Sequence, residues 1–193
     1  MPRQAEKLKQ EHGGEVDAIL ILMGTNDFND GVPIGEWFTE TEEQVMAARG
    51  QVKKLETRKK RTPIMDGNTY KGRINIGIHR LKQLFPDKQI VLLTPLHRSL
   101  ADFGEKNVQP DENYQNSCGE YVDAYVQAVK EAGNVWGVPV IDFNAVTGLN
   151  PMVEEQLIYF YDAGYDRLHP NTKGQIRMAR TLMYQLFALP ATF

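Results

Sequence analysis

Two short stretches carry side chains that could work together on a carbonyl: Gly24-Thr25-Asn26-Asp27, and Asp166-Arg167-Leu168-His169-Pro170. In the second, an acid and a histidine three residues apart in one tight turn can hydrogen-bond within a single local unit. Asp166 would hold the Nδ1 proton of His169, fix its tautomer and stabilise the imidazolium, leaving Nε2 as general base and then acid. In the first, Asn26 at a strand end can offer its amide N–H to a developing oxyanion, a donor typically worth roughly 2.7–4 kcal/mol. Gly24 lets the backbone turn closely and Asp27 can cap that turn. Each stretch alone is ordinary, the first as turn chemistry and the second as a lone histidine. Together, in this order and at the positions described next, they are far more specific.

The elements that must hold them can be read from the apolar runs. Val16–Met23, Ile90–Thr94 and Val138–Asp142 are nearly continuous apolar sequence, as expected of strands buried on both faces of a parallel sheet. Between the first two, Ile74, Ile78, Leu81 and Phe85 recur at helical spacing; between the second and third, Cys118, Val122, Tyr125 and Val129 do so. This spacing makes Cys118 a buried, inert thiol. A last helix carries Ile176, Ala179, Leu182, Met183 and Leu186 on one side, with Pro170 as its first residue. Ahead of the first strand, Arg3–Glu11 reads as the end of a helix stopped by Gly13 and Gly14. The alternation predicts an α/β fold, a single domain over residues 1–193 in three layers with right-handed crossovers. Ligands bind such folds outside the carboxyl ends of the strands, and Asn26, His97 and Asn144 each follow one.

Two connections are long, Phe28 to about Asn68 and Leu96 to about Glu112, and long loops at strand ends commonly build sites. His97 could line the pocket or hydrogen-bond a backbone carbonyl. With no second histidine or carboxylate at ligand spacing beside it, no metal site is expected. Lys53–Arg61 holds six basic residues in nine and reads as a solvated helix end or loop; the sharper reading is recognition of an anionic glycan. Trp37, Phe38 and Tyr159-Phe160-Tyr161 supply aromatic surface, explained by core packing at least as well as by sugar stacking.

Composition narrows the partners. A formal charge of -3 over 193 residues gives no basic footprint for nucleic acid or an anionic membrane surface. No apolar run approaches the roughly 20 residues of a membrane span. The single Cys118 cannot form an internal disulfide, so the compartment stays open.

The Gly-x-Asn-Asp and Asp-x-x-His-Pro stretches, with the element order between them, resemble blocks III and V of the SGNH (GDSL-type) hydrolases, from about Val16 to Leu186. The resemblance implies a flavodoxin-like three-layer fold and ester hydrolysis by a serine acyl-enzyme route, without a cofactor. It implies that Asn26 is the side-chain oxyanion donor, His169 the general base and Asp166 its orienting acid. Gly24, Thr25, Asp27 and His97 would line the substrate site. Small acyl groups on a carbohydrate, such as acetyl, are expected in preference to long lipid chains.

The family's opening blocks, a strand ending in Gly-Asp-Ser with the nucleophilic serine and a second block with a glycine oxyanion donor, have no counterpart here. The two serines, Ser99 and Ser117, lie in no such turn. The expectation is an N-terminally truncated hydrolase, lacking the first two strands and nearly inactive alone. The strand at 16–23 would then be an exposed apolar edge, open to pairing with another copy. The alternative expectation is a catalytically inactive ligand-binding or scaffold protein of the same fold.

Overall fold

A computed structural model describes residues 1–13, 15–50 and 52–189. Gly14, half of the predicted helix stop, lies outside the described residues. Gly13 ends α1 (Pro2–His12) with φ 50°. Then follow β1 (Ala18–Leu22), α2 (Thr25–Asn29), β2 (Phe38–Ala47), β3 (Lys54–Pro63), α3 (Tyr70–Leu84) and β4 (Gln89–Leu93). The chain continues through β5 (Ala101–Asp102), β6 (Val108–Gln109), α4 (Val122–Trp136), β7 (Val140–Ile141) and α5 (Phe143–Val146). A 3₁₀ turn at Glu154–Tyr159, β8 (Phe160–Asp162), β9 (Asp166–Pro170) and α6 (Thr172–Leu186) complete it.

The three predicted strands form one parallel sheet in the order β1-β4-β7, with Ala18 opposite Gln89 and Leu93 opposite Ile141. Because strand side chains alternate between faces, Ile19, Ile90 and Leu92 meet Ile74, Ile78 and Leu81 of α3 and Val122, Tyr125 and Val129 of α4. Val91, Leu93 and Ile141 meet α6 on the other side. Helices thus cover both faces, in the three layers expected. At the edge strand β1, however, Leu20 and Leu22 are 42% and 48% exposed, since α6 covers that face only over β4 and β7.

Four expectations are corrected. The stretch Lys53–Arg61 is not a helix end or loop: Lys54–Pro63 is a strand paired antiparallel with Phe38–Ala47 along ten residues. The hairpin is salt-bridge-laced, with Lys59 and Arg61 on Glu40, Lys60 on Glu43, and Lys54 and Arg58 on Glu56. Its base is rooted by buried Asn75, whose Nδ2 donates to the carbonyls of Trp37 (3.0 Å) and Ile64 (2.9 Å) while its Oδ1 accepts from Trp136 Nε1. Cys118 is exposed, because Gly119 at φ 86° breaks the backbone before α4 begins at Val122. In α6 the packed stripe is Met178, Leu182 and Leu186, and Ile176, Ala179 and Met183 are exposed; the i,i+4 row nearest the sheet is rotated from the one read in sequence. Pro170 ends β9 instead of starting the helix, and Asn171 caps α6 by accepting from Lys173 N and Gly174 N. Among the described residues, no helix is long and apolar enough to cross a membrane.

Candidate active site

The Asp166–His169 unit is built where β9 joins a small sheet in the order β6-β5-β9-β8. Asp166 pairs with Ala101 of β5 and is 4% exposed. Its Oδ1 accepts from the backbone N–H groups of Leu168 (3.2 Å) and His169 (3.0 Å). The same carboxylate lies 3.0 and 3.1 Å from His169 Nδ1. The two backbone donors fix the carboxylate in place, with both oxygens facing Nδ1. The His169 side chain is 61% exposed, leaving Nε2 open to a cleft, and Phe103 lies beside the ring at a centroid distance of 5.7 Å.

Across that cleft, two residues after β1, Gly24 has φ 116° and caps α2. A Cβ there would stand 2.7 Å from Pro95 Cγ and from the Tyr70 hydroxyl, so only glycine lets the strand end turn this closely. Gly24→Ala is therefore expected to cost about 1–3 kcal/mol, read as a lowered Tm in thermal unfolding. Buried Phe28 anchors the turn, and Arg73 Nη1 from α3 holds Asp27 Oδ1 at 2.8 Å. Asn26 stays exposed on the cleft side.

The cleft has a volume of about 1100 Å³ and is lined by Gly24, Thr25, Asn26, Asp27, His97 and His169, with Asp166 behind the imidazole. All the sequence-predicted site residues thus meet in one place, although residues 28–165 separate the two stretches along the chain. Asn144 does not join them; its backbone N–H donates to Thr94 Oγ1 at 3.0 Å. Trp37 is not cleft surface either: it is 8% exposed and donates through Nε1 to Glu131 Oε2 at 2.8 Å. The cleft also runs along the open edge of β1, where Leu22, Met1 and Met178 line it.

His97 differs from expectation in its partner. Its Nδ1 meets Glu112 Oε1 at 2.7 Å, not a backbone carbonyl, and Glu112 Oε2 accepts from Arg98 N at 2.8 Å. The Glu112 carboxylate raises the His97 pKa above its ordinary value of 6.5, against the opposing effect of burial. The stabilisation from this pair is fully present below the ordinary value and is lost as pH rises through the raised one. The Tm deficit of His97→Gln is accordingly expected to be largest near about pH 6 and to shrink toward about pH 9.

Phe103, Tyr70 and Arg73 also line the cleft and were not singled out in the sequence. Tyr70 was within reach, since it continues the Ile74–Ile78 row by four residues; Phe103 sits in a short β5–β6 turn with no periodic signal. Ser99 is buried at 5%, with its N–H on the Arg167 carbonyl, and Ser117 lines a separate cavity beside Phe28 and Arg98. Neither serine lines the cleft.

The sequence model of the GDSL-like lipase/acylhydrolase family matches residues 1–176. One solved structure is 26% identical at a TM-score of 0.68, over 90% of this chain; this chain spans 65% of that longer one. A protein from Lactobacillus plantarum is 19% identical with a TM-score of 0.72, over 98% of this chain and 74% of that one. A structure described as a possible lipase from Chitinophaga pinensis DSM 2588 is 20% identical with a TM-score of 0.59, over 98% and 80%. At those last two identities the likeness concerns the fold. No curated protein matches the chain.

Proposed function

The chain belongs to the GDSL-like lipase/acylhydrolase family, and from that premise we propose that its cleft is the acid, base and oxyanion part of an ester-hydrolase site. The observation that carries this reading is the Asp166–His169 pair, 3.0 Å apart, opening onto the same cleft as Asn26. The nucleophile is a serine on a strand that pairs along the free edge of β1, where Leu20 and Leu22 are exposed and the cleft continues. A parallel strand there would end, like β1, at the cleft.

In this mechanism the serine oxygen adds to the ester carbonyl as its proton passes to His169 Nε2. Asp166 stabilises the imidazolium through Nδ1, and the Asn26 amide donates to the oxyanion. Collapse breaks the C–O bond, and the departing alkoxide takes the proton from Nε2, leaving an acyl-serine. Water then repeats the sequence: it gives a proton to Nε2, adds to the acyl carbon, and releases the carboxylic acid as the serine recovers its proton. In a form carrying the nucleophile, Asn26→Ala is expected to lower kcat for p-nitrophenyl acetate by about 10²–10³ with KM little changed. A larger rise in KM than fall in kcat would assign Asn26 to ground-state binding instead.

Small acyl esters, acetyl groups on a carbohydrate among them, are the substrate class of this reading. A second reading, a ligand-binding protein that keeps the pocket without catalysis, is favoured by the position of both serines outside the cleft. Pairing of β1 with a second copy would be the corresponding use of the free edge.

A further inference from the structure

Behind the cleft lies a buried cation that forms no salt bridge among the described residues. Arg98 is 1% exposed, and among the described residues its guanidinium donates to neutral acceptors only: Asn29 Oδ1, Gln109 Oε1 at 3.1 Å and the Pro110 carbonyl at 3.4 Å. Its Cζ lies over the Phe28 ring, 5.1 Å from the centroid, and its buried Nε has no hydrogen-bond partner among the described residues. The nearby Glu112 acts on the guanidinium through its charge but spends one oxygen on His97 Nδ1 and the other on the Arg98 backbone N–H, so neither oxygen is hydrogen-bonded to the guanidinium. Burial accordingly lowers the Arg98 pKa to about 10. A buried guanidinium without a hydrogen-bonded carboxylate is costly, and its unpartnered Nε–H remains to donate to an anion.

Arg98 borders a second cavity of about 200 Å³, lined also by Phe28, Asn29, Gln109, Asn116 and Ser117. At roughly 30 Å³ per water, that space holds an acetate-sized ion and a few waters. Asp111 also borders it, with Oδ1 turned to Asn113 N at 2.9 Å. We infer that this cavity is a binding site for a small carboxylate, held by the Arg98 guanidinium beside the turn that carries Asn26. The site does not depend on the esterase reading; if that reading holds, the acid it releases is a carboxylate of the right kind.

The test uses the 193-residue chain at fixed ionic strength, titrated with sodium acetate, neutral acetamide and inorganic phosphate by calorimetry and thermal unfolding. Acetate should bind and raise Tm, acetamide should do neither, and phosphate should bind more weakly than acetate. Arg98→Gln should abolish acetate binding. Because that variant can fail to fold, Gln109→Glu is the second arm: its carboxylate occupies the guanidinium from within, raising Tm without ligand and weakening acetate binding about tenfold or more. His169→Ala should bind acetate as the unmodified chain does. Absence of acetate binding, stronger phosphate than acetate binding, or unchanged affinity in Gln109→Glu would overturn the site. Loss in His169→Ala with retention in Gln109→Glu would move the acetate to the main cleft and also overturn it.

Discussion

Adding a parallel strand that ends in Gly-Asp-Ser ahead of Met1 is expected to raise p-nitrophenyl acetate turnover on the order of a millionfold over the 193-residue chain. That factor corresponds to roughly 8 kcal/mol of barrier. It is the effect of restoring a nucleophile to a cleft whose other groups are set: Asp166 is fixed by two backbone N–H groups, His169 Nδ1 is held, and Asn26 faces the same space. The strand has a place to pair, because among the described residues β1 is bonded on one side only, to β4, and Leu20 and Leu22 are exposed. The same pairing should raise Tm by burying that edge. Turnover is measured by release of p-nitrophenol, with a Gly-Asp-Ala version as control. Equal rates from the serine and alanine versions would show that the strand restores the fold but supplies no nucleophile.

Replacing His169 by Ala in the serine-bearing form is expected to remove nearly all of that gain, about 10⁵–10⁶ in kcat, since base and nucleophile act as a unit. Asp166→Asn should cost on the order of 10⁴, because an amide in place of the carboxylate favours the wrong imidazole tautomer. A structural role for His169 would lower Tm and leave the pH–rate profile unchanged. A general base gives an acidic limb to that profile, and the alanine variant loses it. With its side chain 61% exposed, His169 supports little packing, so an unchanged Tm beside the lost rate is the expected pair of results.

The parallel sheet was legible because β1, β4 and β7 are apolar on both faces, a pattern that survives without knowledge of partners. The β2–β3 hairpin was not, because both its faces meet solvent and Glu40, Glu42 and Glu43 alternate with nothing apolar. Its signal lay between the strands, in an acidic segment followed by a basic one that pairs with it residue by residue. Cys118 followed the α4 periodicity in sequence, but Gly119 placed it outside the helix.

The acid–base pair was legible because Asp166 and His169 lie three residues apart, although the segment that joins them is strand β9 and not the tight turn expected. Asn26 was legible from its place at a strand end. Arg98 and Glu112 were not, because their meaning depends on Asn29, 69 positions away, and on a loop that folds back to pair Glu112 with His97. Long-range polar contacts of this kind leave no periodic trace in the chain.

The most direct test of the esterase assignment is fluorophosphonate labelling of the 193-residue chain beside the serine-bearing form, with the labelled residue mapped by mass spectrometry. Labelling of the longer form alone, at the Gly-Asp-Ser serine and dependent on His169, is the predicted result. Labelling of the short chain at Ser99, Ser117 or Thr25, or of neither form, would contradict it.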